Sequence, residues 1–80
     1  MNKDLIYAQI RIYVFNLYTT NIKIKIGDLL TWVNNHCSHL MTQPYGNLRS
    51  VIGAAWRRGT DQEREALEWC LLNKNGQQLL

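Results

Sequence analysis

Apolar residues recur along the first part of the chain at helical spacing. Between Asp4 and Leu17, Leu5, Ala8, Ile12 and Phe15 form one stripe and Ile6, Ile10, Val14 and Leu17 an adjoining one, so a helix with a wide apolar face is predicted. The same stretch alternates as Ile6, Ala8, Ile10, Ile12 and Val14, and its β-branched content suits a strand; its length decides for the helix. From Asn21 to Ile26 the period shortens to two. Ile22, Ile24 and Ile26 fall on one side and Lys23 and Lys25 on the other, as in a half-exposed strand that either pairs with a distant segment or leads extended into the next helix. Gly27 and Asp28 mark the start of that helix, which carries Leu29, Leu30, Trp32 and Val33 to about His36.

From Asn34 to Tyr45, Asn-Asn, Cys-Ser and Thr-Gln pairs and the single proline read as a connection, with one extra helical turn from about His39 to Met41. Pro44 opens the next helix, in which Leu48, Val51, Ile52, Ala55 and Trp56 recur at three- and four-residue spacing until Arg58 and Gly59. Gly59 supplies the left-handed conformation at its end. Thr60 to Glu63 then reads as a capping box, in which each of the two side chains bonds the other residue's amide. The last helix is predicted from Asp61 to about Asn73, with Ala66, Leu67, Trp69, Cys70 and Leu71 on its apolar side. Asn75-Gly76 ends it, and Gln77 to Leu80 form a loose tail.

These elements make one domain over residues 1–80: mainly α, four helices and at most one short β segment. At this length a single hydrophobic core is only just sufficient, which makes a partner or a dimer an expectation. A hydrophobic share of 46% with three Trp, four Tyr and one Phe excludes disorder. The net charge of +3 permits phosphate contact without imposing it. No apolar run approaches the length of a membrane span, and no signal peptide opens the chain, because Gln9, Arg11 and Asn16 interrupt the early apolar residues. Cys37 and Cys70 do not form a disulfide framework, and reduced thiols in a cytoplasm are expected.

The order helix, extended segment, helix, turn, helix over residues 21–60 resembles that of helix-turn-helix and winged-helix domains, in pattern rather than in any one family's motif. In such domains the second paired helix presents its N-terminal side chains to the major groove. The resemblance implies a DNA-binding regulatory protein without catalytic activity, with Tyr45, Asn47, Arg49 and Ser50 facing base edges and Lys23, Lys25, Arg57 and Arg58 meeting phosphates. Asn and Arg have the bidentate geometry that adenine and guanine need. The chain departs from the winged-helix pattern after Gly59, where the capping box replaces a β-hairpin wing, and in its longer connection before the presumed recognition helix.

Competing readings attach to the same residues. Arg57 and Arg58 suit the last turn of any helix, and Lys23 and Lys25 suit any exposed strand edge. His36, Cys37, His39 and Cys70 are zinc-type residues, but His-Cys-x-His matches no common zinc spacing, so neither metal nor cofactor is expected. No nucleophilic site or catalytic carboxylate pair stands out; Asp61, Glu63, Glu65 and Glu68 read as a solvated helix face. Trp32, Trp56 and Trp69 each fall on the apolar side of a different helix and read as a shared core. A partly buried tryptophan, with Tyr45 or Tyr18, would instead anchor a contact with another protein. The alternative function is thus a small inhibitor or adaptor of the kind phages and mobile elements encode, docking on a host protein. A homodimer through the last helix, by Leu67, Trp69 or Leu71, fits either reading.

Overall fold

The first helix, α1 (Lys3–Thr19), buries one of its two apolar stripes: Ile6, Ile10 and Val14 are inaccessible, whereas Leu5 and Ile12 are 52% and 53% exposed. The computed structural model that shows this describes residues 3–80. Helix geometry wins over strand propensity because seventeen residues gain a continuous i to i−4 ladder while one row of branched side chains packs against three other elements. The helix ends by satisfying its own carbonyls. Thr19 and Thr20 hydroxyls donate to Asn16 O at 2.9 and 3.0 Å, Asn21 takes a left-handed φ of 59°, and Ile22 N donates to Leu17 O at 2.9 Å.

The chain continues through β1 (Ile24–Lys25), α2 (Ile26–His36), one 3₁₀ turn at Ser38–Leu40, α3 (Arg49–Arg57), α4 (Asp61–Cys70) and β2 (Leu71–Leu72). The fold is mainly α, with four α-helices and one two-stranded sheet among the described residues. α1 lies across α3 and α4, and Leu29, Val33, Leu48, Ile52, Leu67 and Leu71 close the core against it. The capping box forms as the sequence predicts: Thr60 Oγ1 accepts from Glu63 N at 3.2 Å and Glu63 Oε1 accepts from Thr60 N at 2.8 Å.

Gly59 does not take the left-handed φ expected of it, Gly76 being the described glycine that does, and three elements also differ from the sequence-based expectation. The last helix stops at Cys70 rather than Asn73, because Leu71 and Leu72 leave it to pair in parallel with Ile24 and Lys25. The segment Asn21 to Ile26 therefore does find a distant partner, over two residues. The tail is also held. Asn73 N donates to Gln77 O at 2.7 Å, Leu79 N to Leu71 O at 3.0 Å, and Leu72 bridges Gln78 in antiparallel sense, so the chain ends in a β-hairpin. Finally, α3 begins at Arg49, and Pro44, Tyr45 and Asn47 precede it. The reason is Asn34, whose amide grips the Tyr45 backbone from both sides, accepting from its N–H at 2.8 Å and donating to its carbonyl at 3.0 Å. Those groups are satisfied without a helix, and the connection is held open.

The tryptophans sit at the rim of the core rather than at its centre. Trp32 stacks on Tyr13 at 3.9 Å between ring centroids, Trp56 donates its indole N–H to Glu68 at 2.9 Å, and Trp69 lies edge-on to Tyr18. Leu67 and Leu71 are fully buried in the chain's own core, so of the three residues expected to pair the last helix with a mate only Trp69 reaches the surface.

Ile10 has no exposure and anchors α1 to the other helices. An Ile10→Ala substitution is expected to lower stability by about 2–5 kcal/mol, through lost transfer energy and the cavity left behind. Urea unfolding followed by circular dichroism checks it, and a loss below 1 kcal/mol would show that α1 is not packed as described.

Candidate nucleic-acid interface

The exposed face of α3 is set by its buried one. Val51, Ile52, Ala54 and Ala55 point inward, which leaves Arg49, Ser50, Gly53 and Arg57 along the outer surface. Gly53 stands at the middle of that surface. A Cβ there would meet only the tip of Arg57, its Nη1 at 3.3 Å, so no core packing demands the glycine. Glycine inside a helix costs about 0.5–1 kcal/mol relative to alanine, and here that cost leaves the helix backbone bare between two arginines.

The N-terminal end of α3 borders a cleft of about 850 Å³ whose other wall is the C-terminal hairpin. Asn47, Arg49 and Ile52 line one side and Asn73, Lys74 and Asn75 the other, over a floor that includes Ile26, Leu48 and Leu79. The hairpin turn is rigidly built. Asn73 Oδ1 accepts from Asn75 N at 2.9 Å and Gln77 N at 3.0 Å, Gly76 N donates to Asn73 O at 3.0 Å, and Gly76 adopts a φ of 79° that favours glycine. Two cationic side chains, Arg49 and Lys74, flank this cleft, and no Asp or Glu side chain is among its lining residues.

The eight residues picked out from sequence divide unequally over this geometry. Arg49, Ser50 and Arg57 share the outer face of α3. Asn47 lies beside them, one residue ahead of the cap, with its Oδ1 accepting from Arg49 N at 3.2 Å. Tyr45 belongs to the preceding connection. It is half-buried there, and burial and then the nearby Tyr7 and Cys37 push its hydroxyl above the usual tyrosine range. Lys23 is committed elsewhere: its Nζ donates to Trp69 O at 2.7 Å and sits 3.6 Å from the centroid of the Trp69 ring. Arg58 pairs with Asp4 at 3.3 Å and lies over the Tyr7 ring. Lys25 is exposed on β1, outside the cleft lining. Lys23 and Arg58 are thus engaged with other side chains and carbonyls, whereas the outer face of α3 carries Arg49 and Arg57.

Sequence reasoning missed Lys74, Asn73 and Asn75. The signal was present in Asn-Lys-Asn-Gly, a strong turn sequence, but it was read as a helix stop. Of the acids of α4, Asp61 and Glu65 are exposed as expected, yet Glu63, Glu65 and Glu68 each hold a partner. Glu63 meets Arg11 at 3.6 Å, Glu65 accepts from the Tyr18 hydroxyl at 2.6 Å, and Glu68 holds Trp56. His36 stacks on Trp32, and both thiols are free and buried; no cluster of three His, Cys, Asp or Glu suited to a metal occurs among the described residues. Nor is any helix among them long and apolar enough to cross a membrane. Comparison with known proteins adds no constraint: no family model, curated protein or solved structure matches the chain.

Four acids have raised pKa values. Burial raises Cys37 and Cys70, burial raises Tyr45, and the bond to Glu65 followed by burial raises Tyr18. Each keeps its proton longer when folded, so its contribution is complete below the unfolded-state value and lost as pH rises through the folded one. The urea midpoint is expected to hold up to about pH 8.5 and to fall steadily above it, as the unfolded thiols and then the phenols ionise. A midpoint that rises between pH 9 and 11 would contradict this assignment.

Proposed function

We propose that this protein is a non-enzymatic, cytoplasmic DNA-binding regulator that works without a cofactor and grips duplex DNA between the outer face of α3 and the C-terminal hairpin. The observation carrying the reading is the placement of Arg49 and Lys74 at one cleft lined by no Asp or Glu side chain. An α-helix fits the major groove, and cations on both sides of it suit the two phosphate strands that border that groove. Gly53 supports the same reading, since only the flexible tip of Arg57 lies over the helix backbone there, and its swinging aside allows close backbone approach. Arg49, with Asn47 and Ser50 beside it, is the group best placed to meet base edges; Lys74 and Arg57 meet phosphates. The hairpin after α4 supplies the other side of this cleft, although α4 separates it from α3 in the chain.

Binding to a fluorescent random-sequence duplex across a salt series tests the proposal. The native chain is expected to bind with an affinity that falls steeply with salt, and the Arg49→Ala, Lys74→Ala double variant to bind more weakly with a slope shallower by roughly 0.9, the share of the Lys74 phosphate contact. Both side chains lie on the surface, so unfolding should be nearly unchanged. Absence of native binding at low salt would overturn the reading.

Gly53→Ala separates stability from function. It is expected to stabilise the fold by about 0.5–1 kcal/mol while weakening duplex binding. Thermal unfolding and the same binding assay measure the two effects, and a variant that gains stability with unchanged affinity would remove Gly53 from the interface.

A further inference from the structure

The cleft beside α3 is deeper than the proposed DNA contact uses. Its cations and amides stand at the rim, whereas its interior, about 850 Å³, is floored by apolar side chains. Ile26 and Leu79 are half-buried there, over the buried Leu48, and Leu80 is 45% exposed at the edge. A duplex is too wide to enter a space of this size and can only rest on the rim, whereas a volume of about 300–1,000 Å³ suits a few inserted side chains. Phosphates and sugars also give an apolar floor nothing to bury against.

The rim favours negative charge. Arg49 and Lys74 are exposed, and the ion pairs among the described residues are Arg11 with Glu63, Arg58 with Asp4 and Arg64 with Asp61, so neither cation is neutralised by them. Asn47 spends its side-chain oxygen on Arg49 N at 3.2 Å, which leaves its NH2 group to donate. The carboxylate of Leu80 borders the cleft, one oxygen accepting from Gln78 Nε2 at 2.8 Å, and two cations against that one anion keep the rim positive.

We infer that the interior of this cleft docks an acidic segment of another protein, one that carries an aliphatic or aromatic anchor between its carboxylates. The anchor buries against Ile26, Leu79 and Leu80, and the flanking carboxylates meet Arg49 and Lys74. Floor and rim together select this occupant: a bare polyanion uses only the rim, and an uncharged apolar peptide only the floor. Such a segment occupies the cations that duplex DNA needs and so displaces it. That competition rests on the DNA reading, whereas the docking itself does not.

Fluorescence anisotropy of a short labelled peptide of Asp and Glu with a central Leu-Phe pair tests the docking, with a Ser-Ser counterpart of equal charge as control. The native chain is expected to bind the Leu-Phe peptide at least about 10-fold more tightly than the Ser-Ser peptide. The Arg49→Ala, Lys74→Ala variant is expected to weaken the Leu-Phe peptide at least about 10-fold, and Leu80→Asn at least about 3-fold while leaving duplex binding unchanged. All three side chains are exposed, so the helical circular dichroism should persist. Equal affinity for the two peptides, or binding that survives both the double variant and Leu80→Asn, would overturn the inference. Duplex binding without peptide binding would overturn it and leave the DNA reading standing; peptide binding without duplex binding would sustain it and end the DNA reading.

Discussion

The short parallel pairing of Ile24 and Lys25 with Leu71 and Leu72 decides where everything functional can lie. Two residue pairs carry little energy by themselves, but they fasten the segment entering α2 to the segment leaving α4. Once that join is made, the hairpin that follows has only one place to go, beside the N-terminal end of α3. Without it, Lys74 would sit on a helix end and the surface of α3 would stand alone. The helices supply most of the stability, and the strand pair supplies the arrangement.

Around that join the polar side chains behave as fasteners. Asn34 fixes Tyr45 and delays the start of α3. Lys23 spans from the lead-in segment to the end of α4, packing on Trp69 and bonding its carbonyl. Arg64 donates to the carbonyls of Trp56 and Arg57, both at 2.9 Å, and lies over the Trp56 ring, locking the turn between α3 and α4. Exposed ion pairs such as Arg58 with Asp4 add little individually. Their effect is to occupy charges that would otherwise be available to a ligand, which leaves Arg49, Arg57 and Lys74 as the cations of the proposed interface.

Much of the helical content was legible in the sequence because its determinants are local. The stripe of Ile6, Ile10 and Val14, the Leu29 and Val33 face, and the Thr60 to Glu63 box each need only residues within two turns of one another. What was illegible depends on partners far along the chain. Leu71 and Leu72 continue a helical pattern on paper and become a strand only because Ile24 is available. Tyr45 follows a proline that suits a helix start, yet Asn34 holds its backbone outside one. Of the candidate site, Asn47, Arg49, Ser50 and Arg57 were readable as the outer side of an amphipathic helix. Lys74 was not, since its placement depends on the hairpin.

Ile24 and Leu71 lie about 47 positions apart, and closing a loop of that size costs a free chain about 3 kcal/mol or more in entropy. Four paired residues cannot meet that cost alone. The packing of α1 across α3 and α4 helps to hold the two segments near each other. The cleft consequently depends on contacts well outside its own lining. Its integrity is a readout of the whole domain: weakening the α1 core, whose Ile10 and Val14 line no part of the cleft, would weaken it together with the sheet.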